Sequence, residues 1–202
     1  MTIRAVIFDL GGVLLRTEDQ SPRQQLTARL GLPEEKLYYQ IFESESARQA
    51  MVGAISAEAH WESVRLALGL GADAFDEARK AFWAGDRLDE ELVGYLRSMQ
   101  PRYKTALLSN AWDDMRAIIL RSWTISDAFD EMIISAEVGI AKPDPRIYRI
   151  AIDRLGVSPG EAVFVDDFVE NIESAKAFGL KTVHFQGSQR MRADLEMILD
   201  GK

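Results

Sequence analysis

What most constrains this chain is a recurring order of short apolar runs and amphipathic stretches, interrupted once. Residues 3–8 before Asp9, 104–108 before Ser109-Asn110, 161–165 before Asp166-Asp167, and 181–185 read as buried strands. A weaker run at 131–134 precedes Ser135. They are apolar, and most are followed at once by small or polar residues, as buried strands are. Amphipathic helical patterns lie between them, at 90–100, 113–122, 145–155, 170–178 and 189–200. Asp144-Pro145 reads as an N-cap with a first-turn proline, and Gly156 and Gly179 stand where helices should stop. Strands alternating with helices imply an α/β fold, a parallel sheet with helices on both faces.

The interruption runs from about residue 16 to 87. It offers helical patterns at 22–30, 34–51, 57–68 and 74–83 and no convincing strand. An all-helical block inserted after the first strand is best read as a cap over the carboxyl edge of the sheet. The expected division is therefore a core of residues 1–15 and 88–202 with a helical cap of 16–87. Hinges are expected at 16–19 and 85–89.

At 202 residues the chain can hold one sizeable core and a smaller satellite. No apolar stretch is long enough to span a bilayer, and the opening apolar run is too short for a signal peptide. The absence of cysteine removes disulfides, thiolate nucleophiles and cysteine-based zinc sites together. The expected location is the cytoplasm. A net charge of −8 without clustered Lys and Arg argues against nucleic acid as a partner.

Ligands of open parallel sheets bind outside the carboxyl ends of the strands. Asp9, Ser109, Asn110, Asp166 and Asp167 fall at those ends, and Lys142 joins them from the loop 139–143. Carboxylates crowded together repel unless a cation intervenes, and hard oxygen ligands suit Mg²⁺. Phosphoryl transfer needs that combination of metal, lysine and positioned nucleophile. Taken singly, each residue has a plainer reading: a turn or N-cap aspartate, a solvated loop lysine, a polar strand exit.

Asp9-Leu10-Gly11-Gly12-Val13-Leu14, Leu108-Ser109-Asn110, Lys142-Pro143 and Phe164-Val165-Asp166-Asp167 with Asn171 occur in that order. Together they resemble the four motifs of the haloacid dehalogenase-like superfamily. The helical insertion resembles its branch with a cap between the first and second motifs. That resemblance implies a Rossmann-like core and an Mg²⁺-dependent phosphohydrolase acting on a small phosphorylated metabolite, sugar phosphates among the candidates. It implies Asp9 as nucleophile, Ser109 on a phosphoryl oxygen, and Lys142 neutralising both. Asp9, Gly11 through its carbonyl, and Asp167 become metal ligands, with Asp166 and Asn171 in support; Asn171 would bind a metal-bound water or anchor the Lys142 loop. Asn110 would orient the nucleophile or the substrate, and Gly12 becomes a candidate substrate contact. Trp112, three residues past Ser109, is the aromatic placed near the pocket as a candidate substrate contact, with core burial the equal alternative.

One position departs from the pattern. Many phosphatases of this family carry an acid–base aspartate two residues after the nucleophile, where this chain has Gly11. Glu18, Asp113 or Asp114 is then a candidate replacement, or the substrate has a good leaving group. The alternatives are a metal-independent 2-haloacid dehalogenase and a weakly active or non-catalytic phospholigand-binding protein. His60 and His184 make no metal pair; His60, Trp61, Trp83 and Trp123 read mainly as packing residues.

Overall fold

The computed structural model describes residues 2–201. It opens with β1 (Ala5–Phe8) and β2 (Leu15–Thr17). Five helices follow: α1 (Ser21–Leu30), α2 (Glu34–Tyr38), α3 (Glu45–Met51), α4 (Ala57–Leu68) and α5 (Ala72–Trp83). Next come β3 (Asp86–Leu88), α6 (Glu90–Met99), β4 (Lys104–Ser109), α7 (Met115–Ile118) and β5 (Glu131–Ile134). The remainder is α8 (Ser135–Val138), α9 (Pro145–Leu155), β6 (Ala162–Asp166), α10 (Val169–Phe178), β7 (Lys181–His184) and α11 (Ser188–Leu199). No helix among the described residues is long and apolar enough to cross a membrane.

The expected α/β architecture is present as a five-stranded parallel sheet in the order β5-β4-β1-β6-β7. Successive side chains of a strand point to opposite faces. Val6, Phe8, Leu107, Val163 and Val165 accordingly pack with Leu92 and Leu96 of α6 and Met191 and Leu195 of α11. Ala5, Ile7, Ala106, Leu108 and Phe164 pack with Ile147, Tyr148, Ala151 and Ile152 of α9. Burial on both faces leaves no polar side, so these strands read as unbroken apolar runs. The chain goes from β1 outward to β4 and β5, then returns to the other side for β6 and β7. The carboxyl end of β1 is therefore the topological switch point, where the diverging connections open a crevice.

Three local expectations are corrected. The helix expected over 34–51 is α2, a π-helical turn at Tyr39–Glu43, and then α3. Ser44 is extended, and its hydroxyl accepts from the Ala47 N–H at 3.3 Å, so it starts a new helix. The helix expected over 113–122 shrinks to α7 and a π-helical turn at Ile119–Trp123, which Thr124 ends in the left-handed region at φ 50°. The stretch 16–87 also holds strand residues. β2 and β3 pair antiparallel through Leu15 with Leu88, Arg16 with Arg87 and Thr17 with Asp86. Such short strands carry no periodicity of their own, and Thr17 bonds a partner 69 positions away. This ribbon lies where the two hinges were expected.

The helices from α1 to α5 enclose a separate apolar cluster that includes Leu26, Ile41, Trp61, Val64, Phe75 and Phe82. His60 is fully buried in the same segment. Its Nε2 lies 3.0 Å from the Ile41 carbonyl and its Nδ1 2.9 Å from the Ser46 hydroxyl. A carbonyl only accepts, so Nε2 carries the proton and Nδ1 accepts from Ser46. Burial holds this imidazole below its usual pKa of 6.5. Below that value the unfolded chain takes up a proton that the native ring resists, so stability falls as pH falls. The urea midpoint of the wild type should therefore fall relative to that of His60→Gln as pH drops from about 6.5 to 5. Equal pH slopes for the two proteins would remove His60 from the account.

Candidate active site

Asp9 is the first residue past β1, and its N–H donates to the Val165 carbonyl of β6 at 2.9 Å. That bond places the carboxylate at the switch point. Asp9 Oδ1 accepts from the Leu10 N–H at 2.7 Å and lies 2.8 Å from Lys142 Nζ. Both contacts fall on Oδ1; Oδ2 is held by neither. The same ammonium donates to Asp166 Oδ2 at 2.7 Å. Asp9, Lys142 and Asp166 are all buried. An ion group without solvent persists only when its partners and hydrogen bonds are in place, and removing Lys142 would strand both carboxylates.

Asp166 ends β6, and its two oxygens carry four contacts. Oδ1 accepts from the Phe168 N–H at 2.7 Å and from Asn171 Nδ2 at 3.1 Å. Oδ2 accepts from Lys142 and from Asn171 Nδ2 at 3.0 Å. A carboxylate has about four acceptor positions. Asp166 is thus spent on holding Lys142 and the start of α10. The Asn171 amide donates to Asp166, and no bond from it to the Lys142 loop is formed. The residue on α10 that does reach that loop is Ser174, whose hydroxyl donates to the Pro143 carbonyl. Sequence reading missed it, although it stands one helical turn after Asn171. Tyr148 of α9, also missed, donates to the Asn171 carbonyl at 2.9 Å.

Asp167 behaves differently from its neighbour. One carboxylate oxygen of each of Asp9, Asp166 and Asp167 lies within 4.8 Å of the others. Asp167 Oδ1 is buried and has no hydrogen-bond partner among the described residues. An orphaned carboxylate oxygen is costly, and a cation is the partner its chemistry calls for. Gly12 explains how Asp167 fits. At φ +76°, a Cβ on Gly12 would fall 2.0 Å from Asp167 Oδ2, so the glycine is a cradle for the carboxylate. A side chain on Gly12 would displace that carboxylate.

The electrostatics agree. Burial pushes the Asp9 carboxyl up to about 7, the Lys142 ammonium pulls it down, and Asp166 pushes it up again. Burial disfavours the Lys142 charge, yet Asp9 and Asp166 outweigh this and hold its pKa above the ordinary lysine value. Burial first and Asp166 second raise Asp167. Three carboxylates around one ammonium carry excess negative charge, which a divalent cation at Asp9 and Asp167 would cancel. Asp166 belongs to the cluster geometrically, but its acceptor positions are taken.

Ser109 ends β4, buried. Asn110 Nδ2 donates to the Lys142 carbonyl and its Oδ1 accepts from the Lys142 N–H, each at 2.8 Å. Each end of the amide is thus tied to the Lys142 backbone, with one donor hydrogen and one acceptor position to spare. Trp112 is buried within the helical cluster, stacked on Phe42 at 6.3 Å and tilted against His60 at 4.7 Å. His184 Nε2 donates to the Asp167 carbonyl at 2.9 Å, a half-buried packing role. Gly11 is exposed. Of the replacement acids, Glu18 is exposed beside Arg16, and Asp113 accepts from the Ala57 N–H at the start of α4. Asp114 is raised by burial and then by Asp113. None of the three belongs to the Asp9 cluster.

Known proteins give the arrangement a context. A sequence model of the haloacid dehalogenase-like hydrolase family matches residues 3–179. D-ribitol-5-phosphate phosphatase of Bacteroides thetaiotaomicron is 27% identical over 209 residues, covering 98% of this chain and 99% of that protein. (S)-2-haloacid dehalogenase 1 of Pseudomonas sp. is 40% identical over 94 residues, 46% of this chain and 41% of that protein. The match to rat bifunctional epoxide hydrolase 2 likewise spans only 39% of that protein's length. The crystal structure of a HAD family enzyme from Bacteroides thetaiotaomicron superposes with TM-score 0.80 at 22% identity, covering 96% of this chain and 99% of that one. The same enzyme has been crystallised with magnesium and inorganic phosphate, at TM-score 0.75 and 22% identity over 90% of this chain and 93% of that one. These structures share the fold, while the family model spans the motifs that carry Asp9, Ser109, Lys142 and Asp167. The chain belongs to the haloacid dehalogenase-like hydrolase family.

Proposed function

We propose that this protein is a Mg²⁺-dependent phosphohydrolase that acts on a small phosphorylated metabolite through an acyl phosphate on Asp9. The observation that carries this reading is the buried Asp9–Lys142–Asp166 group beside the orphaned Asp167 oxygen, all at the switch point of the sheet. Asp9, Asp167 and the Gly11 carbonyl would hold Mg²⁺, which when bound offsets charge on the phosphoryl oxygens. An Asp9 oxygen attacks phosphorus. The ester oxygen departs with the electron pair of its P–O bond and takes up a proton. Water then adds to the acyl phosphate, releasing inorganic phosphate and restoring the carboxylate. Ser109 would donate to a phosphoryl oxygen, and Lys142 would offset charge on both Asp9 and the incoming group. Residues 16–87 would form a cap on a core of 1–15 and 88–202, excluding water and choosing the substrate.

The full-length likeness to a sugar-alcohol phosphate phosphatase supports this reading and makes sugar phosphates one class to test. The decisive experiment is a panel of sugar phosphates, nucleotides and aryl phosphates, with and without Mg²⁺. Phosphate release that depends on Mg²⁺ is expected; no release from any ester sinks the reading. Binding alone gives a separate check. Ligands that bind only the native state raise its stability, by about 2.7 kcal/mol at a hundredfold excess over Kd. Mg²⁺ should therefore raise the melting temperature of the wild type. Asp167→Asn and Gly12→Ala should both abolish that rise, and an undiminished rise in either would move the metal elsewhere.

A metal-independent 2-haloacid dehalogenase is the second reading, favoured by the 40% identity over 94 residues. There Asp9 would attack carbon and expel halide. Asp167 weighs against it, because its carboxylate beside Asp9 would repel both the substrate carboxylate and the leaving halide. Halide release from a 2-haloacid without Mg²⁺ would reverse the preference.

A further inference from the structure

We propose that Asn110 is a positioning residue, and that the loop it sits on straps Lys142 to the helical segment. The inference rests on the phosphohydrolase reading only for its kinetic arm.

Lys142 lies on a loop with no regular secondary structure, yet its ammonium must sit between Asp9 and Asp166 to within hydrogen-bond distance. A long flexible side chain reaches one point reproducibly only if its backbone is fixed. The Lys142 backbone is gripped on both sides by one amide: Asn110 accepts from its N–H and donates to its C=O. Asn110 follows directly on β4, so one end of the grip is anchored to the sheet. The next residues anchor the other end. Ala111 exchanges hydrogen bonds with the Ser135 hydroxyl, donating through N–H at 3.0 Å and accepting through C=O at 3.1 Å. Trp112 is buried among the aromatics of the helical cluster, edge-on to Trp61 at 5.0 Å. Asp113 accepts from the Ala57 N–H at 2.9 Å, which fastens the loop to the first turn of α4. Within four consecutive residues the chain thus touches the Lys142 backbone, the start of α8 and the helical segment.

The consequence is mechanical. A shift of the helical segment pulls on Trp112 and Asp113, and through Asn110 on the backbone that aims Lys142. Misplacing a catalytic group by about 1 Å can cost about 10²-fold in rate. In this chain the segment that would select the substrate is tied to the charge that the reaction needs.

The test combines kinetics with hydrogen exchange on the whole chain. Asn110→Ala removes both hydrogen bonds; Asn110→Asp keeps the acceptor for the Lys142 N–H and loses the donor. With Mg²⁺, kcat should fall about 10- to 100-fold in Asn110→Ala, less in Asn110→Asp. The factor should be the same for a sugar phosphate, an aryl phosphate and acetyl phosphate, with KM little changed. Amide exchange in residues 139–145 should quicken in the same order, and Trp112→Leu should quicken it too. A loss confined to one leaving group, or carried in KM with exchange at 139–145 unchanged, would make Asn110 a substrate contact and overturn the proposal. Unchanged exchange in Trp112→Leu would cut the tie to the helical segment. Should Asn110→Ala fail to fold, Asn110→Asp carries both arms. If the wild type hydrolyses no phosphate ester, the phosphohydrolase reading fails on its own account. The exchange measurements then decide the strap.

Discussion

Asp9→Asn should lower Mg²⁺-dependent phosphate release by about 10⁴-fold or more while the variant remains folded. An amide of the same shape keeps the volume of the buried site but offers no anionic oxygen to attack phosphorus. The stability of the variant separates loss of the nucleophile from loss of the fold. The native Asp9 carboxyl is raised from 3.8 to about 7, first by burial. A carboxyl raised in this way contributes most below its unfolded value, and the contribution is lost as pH climbs through about 7. In the metal-free protein, Asp9→Asn should therefore look more stable relative to wild type at about pH 8 than at about pH 5. Lys142 keeps Asp166 as a counter-ion, so the substitution does not strand a lone buried charge. Retained turnover with intact melting would dismiss Asp9 as nucleophile. Phosphate-ester binding by Asp9→Asn, alongside a wild type that binds but never turns over, would instead mark a phospholigand-binding protein.

Gly11→Asp is expected to speed the hydrolysis of alkyl phosphates by about 10²-fold, and of aryl phosphates much less. An alkoxide is a poor leaving group and benefits from a proton donor, whereas an aryloxide departs with little help. The backbone permits the change. Gly11 lies outside the left-handed region, and a Cβ there meets nothing within 4 Å. Its neighbour is the contrast, since Gly12 has φ +76° and the Asp167 carboxylate sits where its Cβ would be. The wild type therefore lacks the acid for a reason other than space. Glu18, Asp113 and Asp114 stand apart from the carboxylate cluster, which strengthens the expectation that a supplied aspartate has work to do. Equal acceleration of alkyl and aryl esters would show that proton donation to the leaving group is not what Gly11 lacks.

The two glycines illustrate how unevenly the site was legible. Asp9, Ser109, Lys142, Asp166 and Asp167 were readable because each follows a strand or sits on a loop that a parallel sheet must bring to one edge. The roles within that set were not. Asp166 and Asp167 are adjacent and chemically identical in the sequence, but four hydrogen-bonding contacts occupy the first, and none reaches one buried oxygen of the second. Asn110 read as orienting the nucleophile or the substrate because it follows Ser109. Its amide also grips a backbone 32 positions away. Trp112 stood near the pocket by chain distance alone, and it packs into the helical cluster.

By itself the sequence determined the alternation of strands and helices, the place of the helical insertion, and the convergence of the charged residues on one edge. Periodicity and strand ends are local properties, and a parallel sheet converts them into position without further information. The tertiary structure alone decided which acceptors are spent and which are left, because hydrogen bonds between distant segments leave no periodic trace. The β2–β3 ribbon, the grip of Asn110 on Lys142 and the orphaned oxygen of Asp167 all belong to that second class. They set apart one carboxylate paired with Lys142, one whose acceptor positions are taken and one with an orphaned oxygen, and the proposed roles of nucleophile, support and metal ligand follow those differences.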